Sequence, residues 1–149
     1  MARYEHLPIY RAAFDLAVHM EKTVKSFDRY HKYTLGTELR DQSRLILSRI
    51  IEANSSRDRL PLLAKLRDDV EWFKVLARLC QESGGFANTR SYLHVAELAV
   101  GIAKQNEGWI RSSRGGNRKG RAAEKVAIFE EDVLFEEVKS SGEAGQGQN

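Results

Sequence analysis

Four stretches of this chain repeat apolar residues every three or four positions, and none alternates apolar with polar residues over a useful length. That periodicity lines apolar side chains along one face of a helix, whereas a half-buried strand needs a period of two. Only two prolines occur, Pro8 and Pro61, each just ahead of such a stretch. Proline is tolerated there because first-turn amides have no intrahelical acceptor to lose. The chain therefore reads as all-α, an antiparallel up-down four-helix bundle of helices about 30 Å long.

The first predicted helix covers about 7–26, with Tyr10, Phe14, Ala17 or Val18, and Val24 on its buried stripe. Residues 27–34 lack a clean period and read as a connection with aromatic anchors. A second helix starts at Thr34 or Thr37 and runs to about Asn54, burying Leu35, Leu39, Ile46, Ile50 and Ala53. The third spans about 60–82, through Leu63, Leu66, Val70, Phe73, Ala77 and Cys80, and stops at Ser83-Gly84-Gly85. Asn88, Thr89 or Ser91 caps a fourth, which ends near Arg111 and buries Val95 or Ala96, Ala99, Ile102 or Ala103, and Trp109 or Ile110. Ile9, Met20, Leu45, Leu47 and Ile51 fall off these stripes, and that extra apolar width suggests lateral burial against identical subunits.

The 149 residues and 42% apolar content suit one core and no large multidomain enzyme. Apolar runs are only a few residues long, so the reading is of a chain with no membrane partner. An N-terminus without an apolar leader, and a lone Cys80 with no intramolecular partner, predict a reducing, cytoplasmic setting. The net charge of +3 hides a segregation: residues 1–111 carry +4, residues 112–123 another +4, and residues 124–149 carry −5. The expected division is a bundle over 1–111 and, over 112–149, a flexible basic linker followed by an acidic, largely disordered tail. Within that tail Val126, Phe129, Val133 or Leu134, and Val138 could line one side of a short helix.

No catalytic residue, metal ligand or cofactor motif is expected. His6, His19, His31 and His94 show no paired ligand spacing, Cys80 reads as a small core residue with no activating base, and no glycine run has phosphate-loop context. The basic residues are more informative. Arg67, Lys74 and Arg78 sit close to one helical line, Arg40 and Arg44 are one turn apart, and Arg57 and Arg59 occupy the connection between them. With Arg114, Arg118, Lys119 and Arg121 of the linker they are the candidate phosphate contacts. The competing reading is a solvated face salted with Glu38, Asp41, Asp68, Asp69 and Glu71. Trp72, one step off the buried stripe, is the candidate interface residue.

Tyr33-Thr-Leu-Gly-Thr-Glu-Leu-Arg-Asp-Gln-Ser, Ile50-Ile-Glu-Ala-Asn, Arg59-Leu-Pro-Leu-Leu-Ala-Lys-Leu and Gly108-Trp-Ile resemble the accessory variability determinant (Avd) proteins of diversity-generating retroelements. These belong to a wider four-helix-bundle group that includes proteins encoded in intervening sequences of 23S ribosomal RNA genes. The likeness covers about residues 4–111. It implies a non-enzymatic homopentamer forming a basic barrel, which binds the retroelement's reverse transcriptase and template RNA or cDNA in support of mutagenic reverse transcription. The acidic extension departs from that pattern. The alternative is a bundle that binds only protein, with no nucleic-acid role.

Overall fold

The computed structural model describes residues 3–123, with side chains over 4–115; the acidic extension lies outside the described residues. A single 3-10 turn, Arg3–His6, leads into α1 (Pro8–Val24), and Leu7 in extended conformation with Pro8 in the first turn starts that helix without a side-chain cap. A one-turn α2 (Arg29–Lys32), α3 (Leu35–Ser55), α4 (Leu60–Glu82) and α5 (Thr89–Ala123) complete the fold. The four long helices pack in the cyclic order α1, α3, α4, α5, with α5 closing back on α1. They form an all-α four-helix bundle, and short connections make neighbours antiparallel. Among the described residues, no helix is long and apolar enough to cross a membrane.

Local chemistry sets the boundaries. Asp28 caps α2 through its carboxylate, and Asn88 caps α5 by accepting from the Ser91 amide at 2.8 Å. At the other end of α4, Gly84 takes φ +90°, the left-handed conformation that suits glycine at a helix end. Gly85 follows in close approach: a Cβ there would stand 2.5 Å from Cys80 Sγ and 3.1 Å from the His31 ring.

The core is contributed by all four helices: Ile9, Leu16 and Met20 from α1, Leu39, Ile46 and Ile50 from α3, Leu63, Leu66 and Phe73 from α4, and Ile102 and Trp109 from α5, all fully buried. Each such side chain stabilises the fold by about 1.5–3 kcal/mol. Among the described residues the buried polar side chains are Thr23, Ser43, Asn106 and Ser112. Asn106 donates to the Leu63 carbonyl at 3.0 Å and thereby ties α5 to the first turns of α4.

Two sequence expectations change. The buried stripe of α1 is Ile9, Ala13, Leu16, Ala17, Met20 and Val24, while Phe14 (44% exposed) and Val18 lie outside it. Helix α1 is apolar over more than half its circumference, so spacing alone selected a stripe rotated from the true one. The second change concerns residues 112–123, read as a flexible linker but continuing as the last turns of α5. Ser112 and Gly115 are buried, so small side chains keep the helix against the body where composition suggested release. At 1.5 Å per residue α5 is about 52 Å long against about 35 Å for α4, and its end passes the α3–α4 connection.

Candidate functional site

The eleven candidate cations separate into two groups. Those on the flanks of the bundle are paired. Glu21 on α1 accepts from Arg40 at 2.9 Å and from Arg44 at 2.6 Å, and Arg44 also reaches Asp41 at 2.6 Å. Arg67 makes a bidentate pair with Glu107 on α5 at 2.7 and 2.8 Å. Lys74 pairs with Glu71 at 2.7 Å and Arg78 with Glu82 at 3.5 Å. The flank between α3 and α4 is held by a further pair that the sequence reading did not single out. Arg49 donates to Asp69 at 2.8 Å, and Gln42 donates to the backbone carbonyl of the same residue at 3.0 Å. Of the two readings of α3 and α4, a phosphate-binding face or a solvated face salted with acids, the flanks match the second: they are a mixed-charge surface.

The second group collects at one end of the bundle. Arg57 and Arg59 lie at the α3–α4 connection, which is also where α5 passes: the Arg59 guanidinium stands 5.5 Å from the centre of the Trp109 ring and donates to the Asn54 carbonyl at 3.3 Å. Arg57 and Arg114 are exposed, and neither forms an ion pair among the described residues. Between Gly108 and Ala123 the chain carries Arg111, Arg114, Arg118, Lys119 and Arg121 and no acid. Because this stretch is helical, positions 111, 114, 118 and 121 fall within an arc of about 80° at 100° per residue, in register with position 107. Asp58 stands between Arg57 and Arg59 in the connection, and Glu107 lies one turn before Arg111 on α5. Glu107's carboxyl is held below its ordinary range first by the hydrogen bond from Arg67, with Arg111 and Arg114 adding to the effect.

Trp72 is 51% exposed, on the outward side of α4 with Val75 and Leu79. Val75 and Leu79 line a groove of about 620 Å³ whose far wall is Tyr92, Ala96 and Val100 of α5. Leu93, 55% exposed, extends the apolar strip along α5. Exposed apolar side chains beside a groove are the feature expected of a protein-binding face.

His19 and His94 meet across α1 and α5 with ring centres 4.5 Å apart, and burial, then His94, lowers the His19 pKa. Among the described residues no three His, Cys, Asp or Glu side chains gather as metal ligands. Cys80 is buried, and burial pushes its thiol up to about 11, which leaves it protonated and unreactive at neutral pH. Comparison with protein-family models, with curated proteins and with solved structures yields no match.

Proposed function

We propose that this chain is an accessory nucleic-acid-binding bundle that grips RNA or cDNA through the cationic end built by Arg57, Arg59 and the last turns of α5. One observation carries the reading: an acid-free run of five cations is held in helical register beside the α3–α4 connection. A line of cations at three- and four-residue spacing matches a phosphate backbone, and each contact gains by releasing condensed counterions. The flank pairs do not oppose this. Exposed ion pairs contribute about 0–1 kcal/mol each, so they set a near-neutral background against which the acid-free stretch 108–123 stands out.

The resemblance to Avd proteins supplies the biological setting of the proposal: a non-catalytic partner of a retroelement reverse transcriptase, working as a homo-oligomer in the cytoplasm. The apolar strip of Trp72, Val75, Leu79 and Leu93 supports self-association of that kind. The same strip also favours the alternative of a bundle that binds only protein.

The two readings part in one experiment. Fluorescence anisotropy with a labelled RNA is measured for the full chain and for two charge-reversed variants, Arg114→Glu/Arg118→Glu/Arg121→Glu and Arg40→Glu/Arg44→Glu. The nucleic-acid reading expects the α5 variant to bind at least tenfold more weakly while the α3 variant stays near wild type. No binding by the wild type, or equal loss in both variants, would leave only the protein-binding role.

A further inference from the structure

At the end of the bundle opposite the cationic helix, three side chains from two separate segments form a hydrogen-bonded chain. Asp28 Oδ1 lies 2.6 Å from His31 Nδ1, and His31 Nε2 lies 3.4 Å from Ser83 Oγ, a contact spanning 52 positions. The two ring nitrogens thus serve different partners. An ionised Asp28 fixes the proton on Nδ1, and that tautomer leaves Nε2 as an acceptor for the Ser83 hydroxyl, which in this structure also has the Cys80 carbonyl 3.3 Å away as an alternative acceptor. The hydrogen bond from His31 holds the Asp28 carboxyl below its usual range, so it is an anion at neutral pH.

The surroundings keep this arrangement in place. Gly85 leaves open the space into which the imidazole fits, since a Cβ there would stand 3.1 Å from the ring, and the Gly85 amide is tied to the Cys80 carbonyl at 2.8 Å. The His31 side chain is 12% exposed, whereas Ser83 is exposed and open to a reactant. Helix capping accounts for the bond from the His31 amide to Asp28, but it does not require the second ring nitrogen to meet the serine that follows α4.

We propose that Asp28, His31 and Ser83 form a nucleophilic serine site that accepts the acyl group of activated carboxylic esters. The site lies apart from the proposed nucleic-acid surface and would add a catalytic activity to the non-catalytic role that the Avd resemblance implies. Ser83 Oγ gives its proton to His31 Nε2 as it bonds to the carbonyl carbon. The bond to the leaving alkoxide or phenolate then breaks, and His31 returns the proton to that oxygen, leaving an ester on Ser83. Water deprotonated by the same nitrogen releases the carboxylic acid and restores the serine. Asp28 acts as a positioning residue through its hold on the ring.

The test uses the full chain with p-nitrophenyl acetate and with a fluorophosphonate probe, which bonds to Oγ as fluoride leaves; the labelled peptide is identified by mass spectrometry. One label per chain on Ser83 is expected. Ser83→Ala should abolish it, and His31→Gln and Asp28→Asn should slow it on the order of 10²-fold. Asparagine is as good an N-cap as aspartate, so Asp28→Asn keeps α2 and separates loss of the relay from loss of fold; circular dichroism checks both variants. An unlabelled Ser83 under conditions that fully label trypsin overturns the proposal, as does wild-type labelling in a folded Asp28→Asn or His31→Gln chain.

Discussion

The Gly84–Gly85 turn offers a sharp test of how tightly the end of α4 is built. Gly85→Ala places a carbon 2.5 Å from Cys80 Sγ, where ordinary contact begins near 3.4 Å, and 3.1 Å from the His31 ring. Cys80 is fully buried on α4 and Gly85 is bonded to its carbonyl, so neither atom moves aside without disturbing the turn. Overpacking of this kind costs about 1–3 kcal/mol, which for a chain of this size lowers Tm by about 2–4 °C per kcal/mol. Removing the sulfur should relieve most of it. In a Cys80→Ala background the cost of Gly85→Ala should fall below about 1 kcal/mol, a coupling of the size expected for residues in contact. Urea denaturation of the four chains completes the cycle. A Gly85→Ala chain as stable as wild type, or an equal cost in both backgrounds, would refute the close-approach argument.

Other expectations follow from the same contacts. Phe73→Ala empties a fully buried site at the centre of α4 and should cost about 3–5 kcal/mol in urea unfolding. Because Arg67 lowers the Glu107 carboxyl below its ordinary 4.5, the pair contributes stability above that pH and loses it as pH falls through the folded value. Glu107→Gln should therefore reduce the gap in urea midpoint between pH 7 and pH 3, modestly, since both side chains are about 40% exposed. The Cys80 thiol, raised to about 11, should resist a disulfide reagent at pH 8 in the native chain and react at once in denaturant.

What the sequence made legible depended on how local the signal was. The span of α4 is readable to the residue because Pro61 opens it and the glycine pair closes it. The stripe of α1 is not, since Phe14 and Val18 repeat with the same period as Leu16 and Met20, and only packing against α3 and α5 decides between them. Likewise the end of α5 looks like a linker by composition, and its helicity depends on Ser112 and Gly115 meeting the body. The local pairs Arg44–Asp41 and Lys74–Glu71 fit the charge pattern along the helices, but the pairs between helices were hidden for a different reason. Glu21 and Arg40 are 19 positions apart and Arg67 and Glu107 are 40 apart, so no charge pattern along the chain reveals that these cations are partnered. Of the candidate site, the basic composition of residues 112–123 was visible, but its alignment into one helical line beside Arg57 and Arg59 was not. The meeting of His31 with Ser83 was equally out of reach, since it requires the α4–α5 turn to close over α2.

The proposed function requires the cationic end of the bundle to hold a nucleic-acid backbone. Its most direct test is the salt dependence of affinity for single-stranded RNA, measured for the wild type and for Arg114→Ala/Arg118→Ala/Arg121→Ala. Six phosphate contacts, from Arg57, Arg59 and the four aligned α5 positions, predict a slope of log K against log salt of about −4, and the variant should fall to about −2. A slope near zero, or the same slope in both chains, would contradict it.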